Sequence, residues 1–186
     1  MTAVLAHDWF PRPLPDNVFI GDGSWLYSAF AFVHCHSRRG RAVTIGRHSG
    51  IYRGSFFELG RDGEVEIGDY TAVVGAIFAT NRRIRVGSHG FIAHQVVIAD
   101  AHHAVPPLAG AAPATAVALA TPAAGVTIGD GVWIGARALL IGDCRIGDGA
   151  IVAAGCVVDF DVPAGCVVAG HPARIVGPAA DRAGPS

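Results

Sequence analysis

The sequence has no long hydrophobic run and no block of charge of one sign. Its 186 residues carry 14 basic and 15 acidic side chains, for a formal net charge of −1. This balance argues against charge-driven binding to nucleic acid or to a membrane surface. No stretch reaches the roughly 18 uninterrupted apolar residues expected of a spanning helix. Residues 1–17, with three prolines and no apolar run, resemble neither a signal peptide nor an anchor. We therefore expect a cytoplasmic protein.

Paired cysteine motifs are also lacking. The four cysteines, Cys35, Cys144, Cys156 and Cys166, form no CxxC pair. Because the missing signal peptide indicates a reducing compartment, we expect no disulfides. We expect no metal site either.

Stretches rich in Met, Lys or Glu, which are typical of helices, are nearly absent, whereas glycine accounts for 25 residues. This composition favours a β-rich repeat, and the sequence contains one with a period of six. Fifteen of eighteen anchors are Ile, Leu or Val. The anchors are Ile20, Leu26, Phe32, Ile45, Ile51, Phe57, Ile67, Val73, Ala79, Val86, Ile92, Ile98, Ile128, Ile134, Leu140, Ile146, Val152 and Val158.

Six residues make one short strand and a corner, so three units close a triangular coil of about 18 residues with sides of about 20 Å. Each anchor points inward and stacks on the anchor one coil below. The residue two before an anchor must then be small, which explains Cys144, Cys156 and Cys166 as compact core residues. Glycine follows many anchors because the corner needs either positive φ or close approach. The pattern predicts an all-β parallel solenoid of about six coils.

One interruption is long. Between Ile98 and Ile128 the chain has 24 residues more than the repeat requires. We expect an uncharged protruding loop over 104–125 that packs on a neighbouring subunit or on a substrate. The expected organisation is an N-terminal extension (1–17), a repeat domain (18–177) carrying this loop, and a C-terminal tail (178–186).

The repeat resembles that of the hexapeptide-repeat acyltransferases, which include the galactoside, maltose and xenobiotic acetyltransferases. The strongest segments begin at Val126 (VTIGDGVWIG) and at Val168 (VAGHPARIV). The resemblance implies a left-handed parallel β-helix and a homotrimer. It also implies acetyl-CoA, or another acyl-CoA, as co-substrate, bound in grooves between adjacent subunits.

The same resemblance implies roles for individual residues. His103, at the start of the long loop, matches the histidine that acts as base, and His102 is the adjacent alternative. The backbone N–H of Ala136 would face the oxyanion, Trp133 would face the pantetheine arm, and the backbone at Ala154 would hold that arm. In addition, Arg174 would lie near the nucleotide phosphates. A histidine suits this chemistry because its ordinary pKa is near 6.5.

Two departures separate the chain from this family. The family usually has Thr-Lys near the coenzyme phosphates, and this chain has Asp159 and Phe160. We therefore expect either weaker coenzyme binding or compensation of the missing positive charge by Arg137 or Arg174. The helical N-terminal cap of the sugar acetyltransferases is also absent, which weakens any inference of a sugar substrate. For the acceptor, Asn81, Asp100 and His102 are candidate contacts.

Two other functions use the same kind of prism. The γ-class carbonic anhydrases bind zinc through three histidines, and His94 begins a similar segment, but Ala99 stands where the class has its next histidine. A non-catalytic scaffold or binding protein is the other alternative, supported by Asp159 and Phe160. The sequence leaves the acceptor, O- or N-acylation, and the acyl chain length open.

Overall fold

The computed structural model describes residues 5–100 and 125–179. Numbered in chain order, the strands form three sheets around a central core. Sheet A contains β1 (Val18–Ile20), β3 (Val43–Ile45), β6 (Glu64–Ile67), β9 (Arg83–Val86), β12 (Val126–Ile128) and β15 (Arg145–Ile146). Sheet B contains β2 (Trp25–Leu26), β4 (Gly50–Ile51), β7 (Ala72–Val73), β10 (Phe91–Ile92), β13 (Trp133–Ile134), β16 (Ile151–Val152), β18 (Cys166–Ala169) and β19 (Arg174–Pro178). Sheet C contains β5 (Phe56–Leu59), β8 (Ile77–Thr80), β11 (Val97–Ala99), β14 (Leu139–Ile141) and β17 (Val157–Val158).

Successive strands visit sheets A, B and C in turn, and every pair of neighbours is parallel except β18 and β19. In the first coil the 3₁₀ helix Ala29–Phe32 lies where the other coils place a strand of sheet C. About six coils result, which confirms the predicted parallel β-solenoid. In the described part of the chain, no helix has both the length and the hydropathy that crossing a bilayer would demand.

The predicted anchors form the core. All eighteen except Ile20 are buried, but the register shows that Ala79 is the wrong anchor in its coil. Phe78 pairs with Phe57 on one side and Ile98 on the other, and its ring stacks on Phe57 at 5.0 Å. Because side chains alternate along a strand, Ala79 points outward. The shift arises because residues 74–76 make a corner one residue shorter than residues 52–55.

The small residues before the anchors are buried as predicted. Cys144 is 0% exposed and Cys156 is 1% exposed, whereas Cys166 is only half-buried. Burial, together with the nearby carboxylates of Asp161, Asp143 and Asp159, raises the pKa of Cys144 to about 11. A thiol that stays protonated is a poor nucleophile, so Cys144 serves the packing of the core.

Glycine after an anchor is required by the close approach of successive coils at the A–B corner, where the chain passes from sheet A to sheet B. A Cβ placed on Gly46 would lie 2.5 Å from the carbonyl carbon of Gly68 in the next coil. That separation is too short for any side chain. Of the two reasons predicted for these glycines, close approach is the one that applies here.

The third residue after each anchor at the A–B corner has left-handed backbone geometry. His48, Tyr70 and His89 have φ of 52°, 55° and 58°, which costs a residue with a Cβ roughly 1–2 kcal/mol. Their rings form a ladder in which Tyr70 stacks on His48 at 5.1 Å and on His89 at 5.2 Å. Aromatic contacts of this kind offset part of the backbone cost. Other coils have glycine at this position, namely Gly23, Gly131, Gly149 and Gly165.

The N-terminal segment is fastened to the first coil by Asp8. Its carboxylate accepts hydrogen bonds from the Ser28 hydroxyl at 2.7 Å, the Ala29 N–H at 2.6 Å and the Phe10 N–H at 2.9 Å. His7 stacks on Trp25 at 4.3 Å. Burial acts to raise the pKa of Asp8, but the hydrogen bonds outweigh it, so the pKa lies below its ordinary value of 3.8.

The ladder predicts an unusual order of stability at position 70. Tyr70→Ala and Tyr70→Gly both remove the ring, but only alanine keeps a Cβ in the left-handed region. We expect the alanine variant to be the less stable of the two by about 1 kcal/mol in urea unfolding. A glycine variant as unstable as the alanine variant, or less stable, would show that the backbone at Tyr70 is not strained.

The Asp8 carboxylate predicts a pH-dependent attachment of the N-terminal segment. A carboxyl group whose pKa is lowered in the folded state stabilises that state above pH 3.8, and the stabilisation is lost as the pH falls through the folded pKa. We expect the free energy of unfolding of the wild type to exceed that of Asp8→Asn by about 1 kcal/mol at pH 6. This difference should shrink below pH 4. Unfolding free energies measured from pH 6 to pH 2.5 provide the test, and a constant difference would contradict it.

Candidate functional site

Four of the residues predicted from sequence to bind the coenzyme lie along one corner. This B–C corner is where the chain passes from sheet B to sheet C. Trp133 lies on β13 just before the corner of the fifth coil, which contains Ala136, and Ala154 lies at the same corner one coil further. Arg174 begins β19 and pairs with Ala169 at the end of β18, so it lies beyond Ala154 in the same direction. The structure therefore brings these four residues together.

The B–C corner carries a row of free backbone donors. The N–H groups of His94, Ala136 and Ala154, each two residues after an anchor, donate to no atom in the described part of the chain. At the A–B corner the corresponding N–H groups are capped by side chains of the next coil. Arg47, Ser88 and Asp130 donate there to carboxylates of Asp69, Asp130 and Asp148 at 2.7–2.8 Å. The B–C corner is thus left open for an acceptor from outside.

The same corner holds a pair of residues whose connection the sequence does not reveal. Gln95 and Arg137 both have left-handed geometry, with φ of 59° and 60°. Arg137 Nε donates to Gln95 Oε1 at 2.9 Å, and the Arg137 N–H donates to the His94 carbonyl. Both are the third residue after an anchor, a position that glycine often occupies. A residue other than glycine at this position is the sequence signal that could have identified Gln95. The pair places the positively charged guanidinium of Arg137 beside Gln95, at the corner that also carries Ala136.

Trp133 is 45% exposed on the outer face of sheet B. Its ring meets Phe91 of the preceding coil edge to face, with centroids 6.3 Å apart. An indole held in this way presents a broad apolar surface next to the free N–H groups of the corner.

The predicted acceptor contacts lie elsewhere, at the C–A corner, where the chain passes from sheet C back to sheet A. Asn81 is exposed, and its Oδ1 accepts from the Asp62 N–H at 3.2 Å. Asp100 is 5% exposed, and its carboxylate accepts from the Thr80 hydroxyl. Within one protomer, sheet C therefore separates Asn81 and Asp100 from the B–C corner.

His102 and His103 lie outside the described residues, as does nearly all of the predicted loop 104–125. The described chain stops at Asp100, at the C–A corner. Asp159 and Phe160 follow β17 and belong to the C–A corner of the sixth coil. Asp159 is therefore separated by sheet C from Ala154 and Arg174 of the same protomer. Among residues 5–100 and 125–179, no group of three or more His, Cys, Asp or Glu side chains is placed to hold a metal ion.

Comparison with known proteins bears on the repeat. Residues 125–159 match the family described as bacterial transferase hexapeptide (six repeats). A 2,3,4,5-tetrahydropyridine-2,6-dicarboxylate N-acetyltransferase from Staphylococcus aureus is 57% identical over 51 residues, which make up 27% of this chain and 21% of that protein. The chain thus matches about a fifth of the length of this curated relative.

Solved structures share the fold over most of the chain. A hexapeptide-repeat containing acetyltransferase from Vibrio cholerae, complexed with acetyl coenzyme A, is 27% identical, with a TM-score of 0.57 over 74% of this chain and 71% of that one. A mutant of AntD, an N-acyltransferase from Bacillus cereus in complex with dTDP and coenzyme A, is 18% identical, with a TM-score of 0.62 over 87% and 85%. The chain is a parallel β-solenoid whose repeat and fold resemble those of the hexapeptide-repeat acyltransferases.

Proposed function

We propose that this protein is an acyltransferase that moves an acetyl or other acyl group from acyl-coenzyme A to a hydroxyl or amino group of a small acceptor. The observation that carries the proposal is the row of free N–H groups at the B–C corner, flanked by Trp133 and Arg174. The solved relatives bound to acetyl coenzyme A and coenzyme A support the choice of donor. The N-acetyltransferase and N-acyltransferase names of two relatives support the reaction class.

The proposed chemistry uses groups of this corner together with His103. The acceptor hydroxyl or amine attacks the thioester carbonyl while His103 removes its proton. The carbonyl oxygen becomes negatively charged, and the free N–H of Ala136 is the donor proposed to stabilise it. The C–S bond then breaks, and the proton passes to the thiolate to give coenzyme A. Trp133 and the N–H of Ala154 are proposed to hold the pantetheine arm.

Charge at the nucleotide end comes from arginines in place of the lysine that the family usually has. Arg137 lies beside Ala136, and Arg174 begins β19 further along the corner. Guanidinium groups bind phosphate oxygens in bidentate fashion. We propose that these two arginines supply the positive charge that Asp159 and Phe160 do not.

The proposed catalytic groups come from two corners, which supports a homotrimer with sites between subunits. The chain enters the segment with His103 at the C–A corner, whereas Ala136 lies at the B–C corner, and a strand of sheet C spans about 13 Å. The outer face of sheet C carries an apolar column of Phe56, Ile77, Val97, Leu139 and Val157. The matching column of sheet A is mostly polar, with Thr44, Glu66, Arg85, Thr127 and Arg145. An apolar outer face of this kind favours contact with another subunit.

Coenzyme A binding tests the site directly. We expect coenzyme A at a hundred times its Kd to stabilise the protein by about 2.7 kcal/mol, and Trp133→Leu to weaken its affinity by about tenfold. Trp25→Leu is the matched control, because Trp25 is 46% exposed on the outer face of the same sheet, away from the row of free donors. No stabilisation at millimolar coenzyme A would favour the non-catalytic scaffold. Equal losses in the two variants would remove Trp133 from the site.

Loss of the proposed base tests the mechanism. We expect His103→Ala to lower turnover by roughly 10²–10⁴-fold, followed as thiol release from acetyl-CoA with an acceptor found by screening hydroxyl and amine compounds. His36→Ala, an exposed histidine of the first coil, is the control and should keep full turnover. Full activity in His103→Ala together with loss in His102→Ala would move the role to His102. Full activity in both would exclude a histidine base from this pair.

A further inference from the structure

An aromatic cavity lies at the N-terminal end of the B–C corner, against the first two coils. Its volume is about 270 Å³, just under the usual range of pockets for drug-sized ligands, so it suits a compound with a single ring. Aromatic rings form its walls: Trp9, Tyr27, Phe30, Tyr52 and Phe56. Trp9 packs on Phe30 with centroids at 5.4 Å, and Phe30 meets Phe56 at 5.8 Å.

The wall formed by Trp9 is held in place while its ring stays exposed. The neighbouring Asp8 fastens this segment to the first coil through three hydrogen bonds, and His7 Nε2 lies 2.9 Å from the Leu26 carbonyl. Even so, Trp9 is 64% exposed, and Tyr52, which also lines the cavity, is 44% exposed. Anchored aromatic rings with open faces are suited to stacking against a planar ligand.

One positive charge faces this cavity. Arg53 lines it and is exposed, and its guanidinium makes no ion pair or hydrogen bond within residues 5–100 and 125–179. Among the described residues that line the cavity there is no carboxylate, and the hydroxyls of Ser28 and Ser55 are already engaged. A single guanidinium matches one carboxylate in bidentate fashion, whereas a phosphate brings more charge and a third oxygen.

The cavity lies on the same B–C corner as the proposed acyl-transfer site. Gly54, next to Arg53, lies against Gly75 of the following coil. The Gly75 carbonyl in turn accepts a hydrogen bond from the Gln95 N–H one coil further. Two coils therefore separate Arg53 from His94, and three separate it from Ala136, or about 14 Å at the usual strand spacing. An acceptor whose carboxylate binds the Arg53 guanidinium would extend its nucleophile along this corner towards Ala136.

We propose that the cavity binds the acceptor and that the acceptor is an aromatic carboxylate bearing an amine or hydroxyl group. This inference rests on the proposed acyltransferase function. In the reaction the amine or hydroxyl attacks the thioester carbonyl, a C–N or C–O bond forms and the C–S bond breaks. The proton lost by the nucleophile ends on the coenzyme thiol, so no oxidant or reductant is needed.

Binding is tested first without coenzyme A, by calorimetric titration with 4-aminobenzoate and with its neutral analogue 4-aminobenzamide. We expect the carboxylate to bind at least about tenfold more tightly than the amide. Arg53→Gln should remove most of this preference, and Trp9→Leu should weaken both probes alike. Arg61→Gln, an exposed arginine at the C–A corner, is the matched control and should keep the preference. Equal affinities in wild type, an unchanged preference in Arg53→Gln, or no binding at millimolar probe would each overturn the proposal.

Transfer is tested next, by following thiol release from acetyl-CoA on addition of 4-aminobenzoate. We expect acetylated 4-aminobenzoate as product, at a rate that falls in Arg53→Gln through a raised KM. If both coenzyme A and 4-aminobenzoate bind but no acetylation occurs, the assignment of the cavity to the acceptor is wrong. If 4-aminobenzoate binds and coenzyme A does not, the acyltransferase function fails instead, and with it the acceptor role of the cavity.

Discussion

Hydrogen bonding between successive coils is the constraint on which the rest of this structure depends. Each coil pairs with the next in parallel register, so residues at equal distances from their anchors fall in columns. Buried anchors such as Phe57, Phe78 and Ile98 fix that register from inside. The number of residues between a side chain or N–H group and its nearest anchor therefore determines where that group lies on the solenoid. Function in such a fold therefore depends on which side chains and backbone groups line up in the columns and at the corners between sheets.

The three corners differ in chemistry although the same backbone turns at each. At the A–B corner, side chains cap the backbone donors, and the His48, Tyr70 and His89 rings stack over strained residues. At the C–A corner, carboxylate and amide oxygens such as those of Asp143 and Asn81 also accept from backbone N–H groups. The B–C corner leaves its donors free at Ala136 and Ala154 in the coils that match the hexapeptide family. The B–C corner is therefore the edge of the prism at which we expect a ligand to bind.

Much of the fold is predictable from the sequence because hydrophobic periodicity and small core residues both follow from stacking of equal coils. The exception at Ala79 arises because the short corner around Gly75 advances the strand by one residue and makes Phe78 the core residue. The contacts proposed for the coenzyme, Trp133 and Ala136, follow from the resemblance to the acyltransferases, and both lie on the B–C corner. The hydrogen bond between Gln95 and Arg137 was not predictable from the sequence, because it joins residues 42 apart that both occupy the left-handed position of the corner. The role proposed for Trp9 could not be predicted for a similar reason, since the position of Trp9 depends on the hydrogen bonds of Asp8.

The proposed site is assembled from the B–C corner of one protomer and the C–A corner of another. Native mass spectrometry of the protein with coenzyme A tests this arrangement most directly, because it reports subunit number and bound coenzyme in the same spectrum. We expect a trimer that carries up to one coenzyme A per protomer, and monomers in the same solution that carry none. Monomers that retain coenzyme A as fully as the trimer would contradict a site shared between subunits.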